Sequence, residues 1–149
     1  MLRRMPTPFP GSDETLPFCI LNLFRCTRAY SMDIQLKRAY EEAGAADGYR
    51  ILVDRVWPRG VSKDKARIDW WPKEVAPSKE LRQWFGHDPQ RWEGFKESYF
   101  AELRQHEEEV GKLLEAARRQ RMTLVYASKE ERYNNAVALK EYLESLPAP

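Results

Sequence analysis

"GYRILVDRVWPRG", residues 48–60, carries a short apolar run, Ile51, Leu52 and Val53, that stops at Asp54 and Arg55. A continuous apolar run of this length, without polar alternation, is the pattern of a strand inside a parallel or mixed sheet covered on both faces. Its exit is unusual. Asp54, Arg55 and Arg59 flank Trp57, while Pro58 and Gly60 supply turn residues at the second and fourth positions of a type I turn. The turn explains the proline and the glycine; it leaves the three charges to be either solvated side chains or the rim of a site.

Working outward, "MDIQLKRAY" upstream alternates Ile34 and Leu36 with polar residues, the period of a half-buried strand. "MTLVYA", from Met122, is a third strand. Between the second and third strands lies irregular sequence punctuated by Pro72 and Pro77, with one helical turn capped by Ser62. Helical segments follow. Ser78 is an N-cap for "KELRQWF", and Asp88 with Pro89 opens the next helix. There Trp92, Phe95, Tyr99 and Leu103 form an apolar stripe, as do Val110, Leu113, Leu114 and Ala117 beyond a break near residues 105–107. A last helix follows the third strand, with Ser128 and Glu131 matching a capping box and Asn134 and Asn135 about two turns inside it. Strand, strand, helices, strand, helix predicts a small single α/β domain with a short, mostly parallel sheet flanked by helices.

Residues 32–146 make up this domain. Residues 1–31 read differently, with four prolines in the first 17 positions and no helical or strand period. They are expected to be a disordered extension, or sequence upstream of a translation start at Met32, which is the favoured account. Their apolar patch, "LPFCILNLF", is too short and too interrupted for a signal peptide. No run approaches the length of a membrane span. Residues 1–31 hold four arginines against Asp13 and Glu14, whereas residues 32–149 hold 21 basic and 21 acidic side chains. The body is therefore no polycation, and a broad duplex-binding footprint is absent. Locally, residues 50–67 carry six basic groups against two acids.

Both cysteines, Cys19 and Cys26, precede Met32, and only His87 and His106 supply imidazoles. No Cys/His metal site and no cysteine nucleophile is available in the body, and neither a metal nor another cofactor is expected. The absence of a disulfide framework fits a cytoplasmic setting.

Ligands of open α/β sheets bind outside the carboxyl ends of the strands. Two segments leave such ends, "DRVWPRG" and "ASKEERYNN". Parallel neighbours would bring Asp54, Arg55, Trp57 and Arg59 to face Ser128, Lys129 and the free amides of the last helix, a pocket for phosphate or carboxylate. In that reading the domain is an anion-binding enzyme or enzyme-like protein acting on a phosphorylated or nucleotide-like ligand, with Asp54 the candidate acid/base. Arg55, Arg59 and Lys129 clamp the anion, and Ser128 and Asn134 orient it. The alternative is a non-catalytic module for nucleic acid or a nucleotide, using Trp57, its flanking arginines and an exposed Trp70 or Trp71. His87 beside Asp88 is a weaker acid/base candidate, since no nucleophile lies near it in sequence. No reaction is legible, and whether the chain is an enzyme stays open.

Three collinear motifs carry a resemblance: "ILVDRVWPRGVSK", "EVAPSKELRQWFGHDPQRW" and "TLVYASKEERYNNAVALKEYL". From about Met32 to Leu143 the chain resembles the YeaO-like branch of the bacterial domain of unknown function 488. The resemblance implies a compact cytoplasmic α/β domain and no established activity. Other branches carry a Cys-His-Arg run near the start of the last helix, and many YeaO-like chains a histidine near Tyr133. Here that neighbourhood is Tyr133-Asn134-Asn135, so thiol or imidazole chemistry at that position does not carry over.

Overall fold

A computed structural model describes residues 32–147. The proposed N-terminal extension and start at Met32 fall on or border residues 1–31, outside the described residues. Three strands, β1 (Ile34–Arg38), β2 (Tyr49–Leu52) and β3 (Met122–Tyr126), form one sheet in the order β1–β3–β2. Both pairings are parallel, with Leu36 and Ile51 each registered against Leu124. The last strand in sequence is thus the central one, and all five of its residues are buried. That position satisfies both of its hydrogen-bonding edges and accounts for an apolar run without alternation.

The helices are α1 (Lys63–Ala66), α2 (Lys79–Phe85), α3 (Trp92–Leu103), α4 (Glu107–Arg119) and α5 (Asn135–Ser145). Their starts follow local chemistry. Ser62 and Ser78 accept from the amides of Lys65 and Leu81, and Asp88 caps a 3-10 turn, Pro89–Arg91, leading into α3. Ser78 also binds Glu102 through its amide and its hydroxyl, at 2.9 and 2.7 Å, tying the start of α2 to the end of α3.

The two faces of the sheet are covered differently. Ile51, Val53, Met122 and Leu124 pack with Leu81 and Phe85 of α2, Phe95, Tyr99 and Leu103 of α3, Val110, Leu113 and Ala117 of α4, and Leu139 and Leu143 of α5. Phe85 and Phe95 stack with ring centroids 4.3 Å apart, and buried Tyr99 donates its hydroxyl proton to the Val75 carbonyl. Leu52, Val125 and Ala39 on the other face are covered by Trp57, Ile68 and Trp71 from the segment after β2. Among the described residues, irregular chain rather than a helical layer covers that face.

Trp70 packs into the first core and Trp71 into the second; both are half-buried, so the exposed Trp70 or Trp71 expected from their adjacency is not found. The exposed large apolar side chains among the described residues are Tyr40, Val56 and Trp84. Among those residues no helix is long and apolar enough to cross a membrane.

Candidate functional site

The β2 and β3 exits lie side by side because the two strands are parallel neighbours. Beyond the last ladder residues, the Val53 amide donates to the Val125 carbonyl at 3.0 Å, which carries the pairing to the edge where Asp54 begins. The Asp54 carboxylate then accepts from the Ala127 amide at 2.9 Å and from the Asn135 side-chain amide at 3.1 Å. Asn135 donates as well to the Val53 carbonyl at 2.9 Å. One aspartate thus joins both strand exits and the first turn of α5. Burial pushes its pKa up, against the opposing pull of the Ala127 N–H, Asn135, and the charges of Arg82 and His87.

Above this edge opens a cleft of about 850 Å³, lined from β2 onward by Asp54, Arg55, Val56, Trp57, Pro58 and Arg59. Pro77, Lys79, Arg82, Gln83, Phe85 and His87 line it from α2 and its flanks, with Ala127, Ser128 and Asn135 from the β3 side. Asp54 is half-buried, whereas Arg55, Arg59, Lys79 and Arg82 are exposed, so cations rim an acid set deeper in the wall, with the exposed imidazole of His87 beside them.

The expected residues take several positions. Arg55 lines the cleft while donating to the carbonyls of Ala76 and Pro77, at 3.1 and 3.4 Å. Trp57 contributes to the lining, but its indole N–H is committed to the Val61 carbonyl at 2.6 Å and its ring meets Trp71 edge-on. Arg59 reaches the rim, its carbonyl held by the Tyr40 hydroxyl at 2.9 Å. The turn lies one residue later than its sequence suggests: the Val61 amide points to the Pro58 carbonyl, and Gly60, at φ +79°, takes the third position that type II turns reserve for glycine.

Two expectations at the other rim are corrected. Lys129 is exposed and does not line the cleft. Asn134 is fully buried and does not line it either: its Oδ1 accepts from the Val137 amide and its Nδ2 donates to the Glu130 carbonyl. It is the N-cap of α5, which begins at Asn135. Residues 128–134 are not helical, so Ser128 and Glu131 are no capping box and the predicted free amides beside Ser128 are absent. The loop is shaped instead by Ser128 Oγ accepting from the Glu130 amide, and by Glu130 accepting from the amides of Arg132 and Tyr133.

His87 has a setting that sequence spacing did not suggest. Asp88 is taken up by its cap, and His87, at φ +57°, directs Nδ1 to the Tyr133 carbonyl at 3.0 Å and Nε2 toward Ser128 Oγ at 3.4 Å. A carbonyl only accepts, so Nδ1 carries the proton in this arrangement.

Sequence spacing does not single out Lys79, Arg82, Gln83 or Phe85 as site residues, nor does it favour Asn135 over Asn134. The available signal was the pattern of α2, where Leu81 and Phe85 are buried four residues apart and the remaining positions are left for solvent or ligand. Nothing local specifies that this helix lies beside the β2 exit.

Residues 33–147 match the model of a family described as the inactive DUF488-N3 subclade, and the chain belongs to that family. It is similar to the uncharacterized protein YeaO of Escherichia coli (strain K12), at 47% identity over 115 residues, covering 77% of this chain and all of that protein. It is also similar to the uncharacterized proteins Mb3100c of Mycobacterium bovis and Rv3073c of Mycobacterium tuberculosis. Each is 49% identical over 70 residues, 47% of this chain and 59% of the relative. No solved structure matches significantly.

Proposed function

We propose that the chain is a binding domain for a small anionic, phosphate-bearing ligand held in the cleft at the carboxyl edge of the sheet. The observation that carries this reading is the convergence of Arg55, Arg59, Lys79 and Arg82 on one cleft whose lining contains, among the described residues, a single acid, Asp54. Arg59, Lys79 and Arg82 form no side-chain hydrogen bond or ion pair among the described residues, so their donors are available to a ligand. Guanidinium groups match phosphate oxygens bidentately, which suits this rim.

Binding is favoured here over catalysis. The matched family is described as inactive. The 3.4 Å between Ser128 Oγ and His87 Nε2 exceeds the length of an effective activating hydrogen bond. The nucleic-acid alternative loses support because Trp57, Trp70 and Trp71 pack against the sheet faces instead of forming a stacking surface.

Thermal unfolding in the presence of inorganic phosphate, phosphosugars and nucleoside monophosphates tests the reading. A ligand at a hundred times its Kd adds about 2.7 kcal/mol of stability, which raises Tm by several degrees. The shift should vanish in an Arg59→Ala, Arg82→Ala double variant and persist in Lys129→Ala. No shift with any phosphate-bearing compound, or a shift insensitive to the double substitution, overturns the proposal.

A further inference from the structure

An anion site alone explains neither the size of the cleft nor its acid. A phosphate group fills a small part of about 850 Å³, and cavities of this size hold organic molecules with a sizeable body. Val56, Trp57, Pro58, Phe85 and Phe95 give the cleft apolar walls, with Phe85 stacked on Phe95. Asp54, set deeper than the cations, would repel an anion placed against it; it must face a different part of the ligand.

The hydrogen bonds of Asp54 indicate which part. An ionised carboxylate has about four acceptor positions. The Ala127 amide takes one on Oδ2 and the Asn135 amide takes one on Oδ1, so each oxygen is oriented by the protein and retains acceptor capacity. Two oxygens of one carboxylate are the complement of two adjacent N–H donors.

We infer that the ligand is a nucleotide of the guanine type, its phosphate on the rim formed by Arg59, Lys79 and Arg82 and its neighbouring ring N–H and exocyclic amine on Asp54. The inference rests on the anion-binding reading and specifies the body that the anion carries. Adenine sets a ring acceptor beside its amine and would oppose a lone pair to a lone pair; hypoxanthine keeps the ring N–H and lacks the amine. The upward push of burial on Asp54 adds a pH signature, because protonation replaces one acceptor with a donor.

Calorimetric titration of the full chain with guanosine, inosine and adenosine monophosphates and with ribose 5-phosphate tests this at low salt. Guanosine monophosphate should bind about tenfold or more tightly than adenosine monophosphate, with inosine monophosphate between them. That preference should shrink as pH falls and disappear in Asp54→Asn. Equal affinity of the wild type for guanosine monophosphate, adenosine monophosphate and ribose 5-phosphate, or a preference for adenine, overturns the base assignment and leaves the anion site standing. Binding of none of the four overturns both. The wild-type series decides the matter even if Asp54→Asn fails to fold.

Discussion

Asp54 is held at a cost that its pH dependence should expose. Burial raises its pKa from the ordinary value of 3.8, with the Ala127 N–H, Asn135, Arg82 and His87 opposing that rise. The folded state therefore holds the proton more firmly than the unfolded chain. Between the unfolded and the raised folded value, this residue's contribution to stability falls as pH rises. Asp47 has the reverse slope. Burial opposes its ionisation, yet the Gly44 amide, Lys37 and Arg50 outweigh it and the pKa is lowered. Its stabilisation is present above the ordinary carboxylate value and is lost as pH falls. Comparing Asp54→Asn with the wild type cancels the Asp47 effect. The difference in Tm should move in favour of the variant as pH rises from the ordinary aspartate value toward neutrality. A difference that stays constant across this range would show that Asp54 titrates as it does in the unfolded chain.

At the scale of the element, α5 shows how a helix start can be misread from its own sequence. Ser128 and Glu131 have the spacing of a capping box, but Asn134 performs the cap, buried and bonded at both ends of its amide. Asn134→Ala should cost about 1 to 2 kcal/mol, whereas Glu131→Ala, on an exposed residue, should stay within about 0.5 kcal/mol. Urea midpoints of the two variants check this, and a larger loss in Glu131→Ala would restore the earlier helix start. The six-residue delay between Ser128 and Asn134 matters for the site. It makes residues 128–133 a loop that carries Ser128 to the cleft and the Tyr133 carbonyl to His87. The α2 end contributes the other half, with Gly86 and His87 both at positive φ, at +54° and +57°. Positive φ is uncommon outside glycine, though less so for histidine than for most residues, and the bond from the imidazole to the Tyr133 carbonyl accompanies it here.

At the scale of the whole molecule, the inserted central strand sets the tightest constraint. Gly48 enters β2 at φ +70°, and a Cβ there would lie 2.3 Å from the carbonyl oxygen of Arg121, just ahead of β3. Chain segments more than seventy residues apart meet at a position where no side chain fits. Gly48→Ala should destabilise by about 2 to 4 kcal/mol, from strain and displaced backbone together. Gly44→Ala, whose added Cβ would find nothing closer than 3.9 Å, should lose far less. Similar chemical-denaturation midpoints for the two variants would contradict this packing. The same parallel insertion of β3 beside β2 places both strand exits on one edge, which is how residues 54–59 and 127–135 come to share a cleft.

Much of this was legible locally. The apolar runs at Ile51–Val53 and Met122–Tyr126, the caps at Ser62, Ser78 and Asp88, and the stripe Phe95, Tyr99, Leu103 are short-range consequences of side-chain chemistry and helical or strand period. Together with the strand-exit rule they bring attention to Asp54, Arg55, Trp57, Arg59 and Ser128, all of which line the cleft. Short-range pattern alone was enough for the α/β class, for a mostly parallel sheet, and for one side of the candidate site. Only the tertiary structure decided that β3 lies between β1 and β2, that a tryptophan-bearing loop covers one sheet face, and that α2 brings Lys79, Arg82 and His87 to the β2 exit. These depend on which distant surfaces exclude water together, and that free energy belongs to pairs of elements rather than to any one of them. Asn134 and Asn135 illustrate the limit. Adjacent and chemically identical, they became a helix cap and a cleft residue according to where α5 starts, which the Asp54 carboxylate and the Glu130 loop settle across the fold.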